Sequence, residues 1–77
     1  MVAAYVLVSV EPGKNAPVVT ALRAMPVVKQ AHSCWGKPDI FAFVEVESDT
    51  TLARAVLTDI QSIPGVRDTE THIVVPF

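Results

Sequence analysis

Two histidines and a single cysteine are the first residues of this chain to consider as metal ligands or catalytic groups. His32 and Cys34 are two positions apart, so on a β-strand they would share one face and, with His72, could bind a soft metal or heme. The sequence contains no second cysteine, no HxxxH spacing and no acidic cluster to support such a site. We therefore favour an ordinary structural role for these residues and assign no catalytic residue, no metal ligand and no cofactor.

Three other side chains could contact a ligand or a partner. Trp35 could form an aromatic wall for a ligand, but we favour an interface role because aromatic residues are enriched at interface cores. Thr69 and Thr71 share one face of a predicted strand, and their hydroxyls could bind a small polar ligand. An ordinary solvated strand explains the two threonines equally well, because β-branched residues favour strands.

A short turn, Gly36-Lys37-Pro38-Asp39, lies at the middle of the chain. Glycine and proline are typical turn residues, and a proline second in Lys37-Pro38-Asp39-Ile40 is normal turn chemistry. By itself the motif predicts a hairpin, and we expect any recognition site to lie close to it.

Hydrophobic periodicity predicts four strands and two helices around this turn. Asn15 is the expected N-cap of the first helix, and Ser48-Asp49-Thr50 supplies candidates for the second. Pro26 and Pro64-Gly65 stop the two helices. The strands are expected at residues 3–10, 27–35, 40–47 and 66–75, and the helices at 14–25 and 48–63.

The order βαβ, hairpin, βαβ predicts a ferredoxin-like α+β fold, βαββαβ, with a four-stranded antiparallel sheet and two helices on one face. The other face of such a sheet has no cover within the chain. Large apolar residues must nevertheless lie there, either Tyr5 and Leu7 or Val6 and Val8, together with either Phe41 and Phe43 or Val44 and Val46. Such a patch predicts a partner, most simply a second copy in a two-fold dimer.

Composition indicates one small domain, residues 1–77, that associates with copies of itself. The chain is 51% hydrophobic, and its one cysteine excludes an internal disulfide, so burial against another copy is the remaining source of stability. Six basic and eight acidic residues are interspersed, which argues against direct nucleic-acid binding. No run of 18 apolar residues and no charged signal-peptide start is present, so we expect no membrane contact and a cytoplasmic location.

Five segments in order, spanning nearly the whole chain, are similar to the effector-binding (RAM) domain of Lrp/AsnC-type transcription regulators. These are residues 6–14, 21–28, 36–40, 44–47 and 63–71. The resemblance implies a domain that dimerises through its sheet, often assembles into rings of dimers and binds small effectors, usually amino acids, at contacts between dimers. It also implies that the chain is not an enzyme.

The resemblance also implies a binding site. Gly36 and Asp39 match the family's Gly-x-x-Asp turn, and Thr69 and Thr71 match polar positions on its last strand. Gly36 would let backbone amides approach the ligand, Asp39 would accept from an α-ammonium group, and the threonines would add neutral hydrogen bonds. With the intervening Lys37 and Pro38, these residues form the predicted ligand-binding set.

Two departures from the family pattern shape the functional prediction. Full-length members carry an N-terminal helix-turn-helix that this sequence lacks, so we expect a stand-alone effector domain that acts on transcription through full-length relatives. Pro38 replaces an aromatic residue before the aspartate, which leaves the effector's identity open. The alternative function is a dimeric α+β barrel enzyme or a metal or heme module using His32, Cys34 or His72.

Overall fold

The computed structural model describes all 77 residues and confirms the predicted ferredoxin-like α+β fold. Four antiparallel strands form one sheet in the order β2-β3-β1-β4: β1 (Val2–Val10), β2 (Val28–Ser33), β3 (Ile40–Val46) and β4 (Val66–Ile73). Two helical elements connect them: α1 (Asn15–Arg23), and α2 (Asp49–Arg54) followed by a π-helical segment (Ala55–Ile60). β1 is central and the more polar β2 is an edge strand.

The hydrophobic core lies between the helices and one face of the sheet. Alternate residues of β1 and β3 point into it, and Val6, Val8, Ile40 and Val44 have no exposed surface. The helices contribute their own apolar side chains to the same cluster, namely Val18, Val19, Leu22, Leu52, Val56 and Ile60. Burying one such aliphatic side chain stabilises the fold by about 1.5–3 kcal/mol.

The opposite face of the sheet, here called the open face, is not covered by any part of the chain. Of the two sets that the sequence allowed, Tyr5 and Leu7 lie here with Phe41 and Phe43, because their alternate neighbours fill the core. Tyr5 is 49% exposed and Phe41 is 40% exposed. The rings of Tyr5 and Phe43 contact each other, with centroids 4.9 Å apart. The open face is therefore a contiguous aromatic and aliphatic patch.

The faces of β2 do not follow simple alternation, which would place Val28, Gln30, His32 and Cys34 on one face. The pairing of β2 with β3 shifts register between Val28 and Gln30. Val28 therefore points into the core, whereas Gln30 and His32 lie on the open face. A bulge adds one residue to a strand and reverses the alternation beyond it, and alternation within one strand gives no sign of it.

The helix ends confirm one capping prediction and correct the other. Ser48 is the N-cap of α2, and its hydroxyl accepts a hydrogen bond from the backbone N–H of Thr51 at 3.2 Å. The prediction that Asn15 caps α1 is wrong, because Lys14 occupies that position and Asn15 is the first helical residue. The Asn15 amide donates instead to the Ser33 hydroxyl at 3.0 Å. Neither helical element has the length and apolar character required to span a membrane.

We predict that Gly65→Ala destabilises the fold more than Gly36→Ala. Both glycines have a positive φ, +99° and +108°, which costs a residue with a Cβ about 1–2 kcal/mol. At Gly65 the new Cβ would also lie 2.8 Å from the Cβ of Lys14, whereas at Gly36 it would meet no atom within 4 Å. Overpacking of this kind costs a further 1–3 kcal/mol or so. Urea unfolding measures the difference, and equal losses in the two variants would contradict this account.

Candidate functional site

Asp39 joins the central turn to the end of the sheet. It immediately precedes β3, whose first residue, Ile40, pairs with Val8 of β1. One carboxylate oxygen of Asp39, Oδ2, accepts a hydrogen bond from the backbone N–H of Val10 at 2.9 Å. Val10 lies at the register shift between β1 and β4, where the regular ladder is interrupted. The carboxylate thus satisfies a half-buried donor that the ladder leaves free.

The turn itself projects from the sheet. The Cys34 N–H donates to the Asp39 carbonyl at 2.7 Å, which closes the hairpin, and the Lys37–Pro38 peptide is cis. Gly36 is required by its positive φ, since a side chain there would meet no neighbour within the chain. Trp35 lies next to it and is fully exposed. Its predicted interface role stays a prediction.

Beside the turn lies a cleft with a volume of about 450 Å³. Two cationic side chains, Lys37 and Arg67, and two carboxylates, Asp39 and Asp68, contribute to its walls. The remaining lining residues are Ser9, Val10, Pro12 and Asn15. The cleft therefore presents both signs of charge with little apolar surface.

Sequence reasoning did not predict that Arg67 and Asp68 line this cleft. They come together with the turn because β1 pairs with β3 on one side and with β4 on the other, and Ser9 lies opposite Asp68. Both residues stand within the 63–71 segment that carries the family resemblance, but their spacing gave no sign of a role. Only the pairing of strands far apart in sequence brings them to the cleft.

The structure does not bring the predicted threonines to this cleft. Thr69 and Thr71 share one face of β4 as predicted. They pair with Val8 and Val6, so this is the helix side of the sheet, whereas Asp68 and Glu70 lie on the other. Two strand spacings, about 10 Å, separate Thr69 from Ile40 at the end of the turn. The Thr69 hydroxyl accepts from the Gln61 side chain at 2.8 Å. Gly36 and Pro38 are also absent from the cleft walls, so only Lys37 and Asp39 of the predicted set line it.

The histidines and the cysteine are not gathered into one site. His32 lies on β2 and His72 on β4, three strand spacings or about 14 Å apart. His72 instead contacts Glu70, with Nε2 2.6 Å from a carboxylate oxygen, and Cys34 is exposed beyond the end of β2. No group of three His, Cys, Asp or Glu side chains is placed to hold a metal ion. The alternative function therefore has no support from the structure.

Comparison with known proteins identifies the family. Residues 3–76 match the family model of the Lrp/AsnC ligand binding domain. The chain belongs to this family. It is a family of ligand-binding domains of transcription regulators, not an enzyme family.

Individual relatives agree with this assignment. An uncharacterized HTH-type transcriptional regulator of Pyrococcus abyssi is 34% identical over 73 residues, covering 95% of this chain and 46% of the relative. The chain thus spans about half the length of the curated relatives it matches. The crystal structure of FFRP-DM1 is 32% identical, with a TM-score of 0.93 over 97% of this chain and 100% of that one.

A third comparison concerns fold alone. A transcriptional regulator from Neisseria meningitidis, NMB0573, solved as an L-Met complex, is 22% identical, with a TM-score of 0.86. The match covers 96% of this chain and 49% of that one. The ferredoxin-like architecture is therefore shared with a domain of a longer regulator.

We predict that Asp39→Ala lowers the free energy of unfolding by about 1–3 kcal/mol, because it leaves the Val10 N–H without its acceptor. Asp39→Asn should lose less, since an amide oxygen can still accept that bond. Asp68→Ala is the matched control on the same cleft: its side chain is exposed and accepts no protein hydrogen bond, so a change within about 0.5 kcal/mol is expected. Chemical denaturation of the three variants measures this, and equal losses for Asp39→Ala and Asp68→Ala would refute the structural role.

Proposed function

We propose that this chain is an effector-binding domain that binds an amino-acid-like molecule in the cleft beside the central turn. The observation that carries the proposal is that two cationic and two anionic residues line the same cleft, namely Lys37, Arg67, Asp39 and Asp68. A free amino acid carries one positive and one negative group, so a cleft with both signs complements it. The volume of about 450 Å³ lies within the range of small-molecule sites, about 300–1,000 Å³.

Each charged side chain has a proposed role. Lys37 and Arg67 bind the ligand's carboxylate, and the Arg67 guanidinium can do so through two parallel N–H donors. Asp68 accepts from the α-ammonium group. Asp39 can share that role only through Oδ1, because Oδ2 already accepts from the Val10 N–H.

The lining favours a ligand with a polar side chain. Val10 is the only hydrophobic residue among the eight that line the cleft. The Neisseria regulator of the same fold was solved with L-Met, whose side chain is apolar. The cleft of this chain offers such a side chain little apolar surface, so transfer from water would gain little free energy. We therefore expect an amino acid with a hydroxyl, amide or charged side chain.

Gly36, Pro38, Thr69 and Thr71 do not line the cleft, so their participation in ligand binding requires a neighbouring protomer. We propose that these four residues contribute to the ligand site at contacts between dimers. The ligand binds this larger assembly more tightly than the separate dimers and therefore stabilises it. Mixed assembly with full-length relatives would transmit this effect to transcription. We place this function in the cytoplasm, where such regulators act.

The open face is the proposed dimer interface. Tyr5, Leu7, Phe41 and Phe43 form an apolar patch on it that no other part of the chain covers. Contiguous exposed apolar patches mark interaction sites in small domains, and an identical sheet is the simplest cover. A two-fold pair of sheets buries both patches at once.

We predict a ligand-induced rise in melting temperature when the chain is screened against the twenty amino acids by differential scanning fluorimetry. At a ligand concentration of 100 Kd the stabilisation is about 2.7 kcal/mol, which corresponds to roughly 10 °C or more for a domain of this size. Lys37→Gln and Arg67→Gln should each reduce this shift by more than half, whereas Arg54→Gln, on α2 and outside the cleft, should retain it. A folded oligomer that responds to none of the twenty would refute the proposed ligand class.

We predict that Phe41→Glu converts the dimer into a monomer without unfolding the domain. Phe41 is 40% exposed within one chain, so a carboxylate there meets water in the monomer but a second apolar face in the dimer. Leu57→Glu is the matched control, since Leu57 is 64% exposed and belongs to the π-helical segment on the other side of the sheet. Light scattering coupled to size exclusion measures the mass. Loss of the dimer in both variants, or in neither, would contradict this interface.

A further inference from the structure

A groove runs along the outer edge of β2, where no other strand of the chain pairs with it. It consists of two adjoining clefts, of about 480 Å³ and about 300 Å³, and both are lined by Arg23 and His32. The larger cleft lies between α1 and β2 and includes Thr20 and Ser33. The smaller cleft follows β2 and includes Lys29. The two clefts together are called the β2 groove.

The side chain of Arg23 is held over the edge of β2 by one hydrogen bond. Its Nε donates to the carbonyl oxygen of Ala31 at 2.9 Å. That carbonyl points away from β3, because the Cys34 N–H donates to Asp39 across the hairpin and alternate residues of an antiparallel strand direct their backbone groups to opposite sides. The bond leaves both terminal nitrogens of the guanidinium without a partner in the chain. Arg23 is thus oriented but not neutralised.

Three other polar side chains of the groove can donate hydrogen bonds. The Lys29 ammonium makes a single bond, to a backbone carbonyl oxygen at 3.4 Å. Ser33 Oγ accepts from the Asn15 amide at 3.0 Å, so the hydroxyl proton of Ser33 is free to be donated. Thr20 is three residues before Arg23 on α1, which places its hydroxyl on the same side of the helix.

No carboxylate lines either cleft of the β2 groove. The chain as a whole has a net charge of −2, so this excess of positive charge is local. The cleft beside the central turn differs, since Asp39 and Asp68 accompany Lys37 and Arg67 there, and the two sites share only Asn15. A ligand in the β2 groove meets cations and neutral donors but no anionic partner for an ammonium group. The lining therefore favours a ligand whose charge is entirely negative.

We propose that the β2 groove is a second binding site, for a small molecule that carries a phosphate group. A phosphate group presents three acceptor oxygens. The Arg23 guanidinium binds two of them through parallel N–H groups. The Lys29 ammonium and the hydroxyls of Ser33 and Thr20 supply donors for the third. A carboxylate has only two oxygens and would leave part of this donor set unused. The larger cleft also has room for a small organic group beyond the phosphate.

Titration with inorganic phosphate and with glycerol 3-phosphate tests the site, followed through the backbone amide signals by NMR at constant ionic strength. Saturable shifts are expected at Thr20, Arg23, Ala31 and Ser33. Acetate should bind at least about fivefold more weakly, because it forms fewer charge-assisted hydrogen bonds. Saturable binding of either phosphate probe supports the proposal. Binding of neither, or binding of acetate as tight as that of the phosphates, would overturn it.

Substitutions locate the bound phosphate. Lys29→Gln removes a cation and leaves the bond between Arg23 and Ala31 intact, so the Kd should rise about threefold in a chain that keeps its fold. Arg23→Gln removes both the charge and the paired donors, and should raise the Kd about tenfold. Arg54→Gln on α2 is the matched control, since it makes the same charge change outside the groove and should leave the Kd within about twofold.

The outcomes of these substitutions separate the β2 groove from its alternatives. Equal losses in Arg23→Gln and Arg54→Gln would show attraction by net charge alone and would overturn the site. If Arg23 serves only to cover the edge of β2, Lys29→Gln keeps full affinity, which would also overturn it. Arg67→Gln, in the cleft beside the turn, should bind phosphate normally. Loss in that variant with retention in Arg23→Gln would assign the anion to the other cleft. The proposed amino-acid effector is measured separately from all of these outcomes.

Discussion

One-sided cover of the sheet is the constraint on which the rest of this structure depends. Two short helical elements pack against one face of four strands, and strand residues alternate between the faces. Val6 and Val8 are fully buried for that reason, while Tyr5 and Leu7, which alternate with them along β1, lie on the open face. A chain of 77 residues that is 51% hydrophobic cannot hide all of its apolar surface under two helices. The open face is therefore the basis of the proposed association with a second copy.

Asp39 shows how a residue of the proposed binding cleft can serve stability first. Family resemblance assigns it to ligand recognition, yet its Oδ2 atom holds the Val10 N–H where the β1–β4 ladder shifts register. This bond fixes the base of the turn and sets one wall of the cleft. Loss of binding in an Asp39 variant would by itself not separate the two roles. The side chains of Lys37 and Arg67 make no hydrogen bond or salt bridge within the chain, so changing them removes no such structural contact.

Periodicity and turn chemistry predicted the strands and helices well because these signals are local. The strand and helix bounds agree to within about two residues, apart from the second helix, where a π-helical segment replaces the end of a continuous α-helix. The misassigned face of Val28 has a non-local cause, since a bulge is defined by the partner strand. The prediction that Asn15 caps α1 was wrong for a similar reason. Its amide donates to Ser33 of β2, which is distant in sequence but lies next to the start of α1 in the fold.

The sequence by itself determined the order of elements, the central turn and, through resemblance, the family. Hydrophobic spacing, glycine and proline positions and composition are all readable along the chain. Only the tertiary structure decided that Tyr5 and Phe43 lie on the open face, and that Arg67 and Asp68 join Lys37 and Asp39 around one cleft. The physical reason is that strand register and packing join residues far apart in sequence, and a linear pattern leaves that choice open.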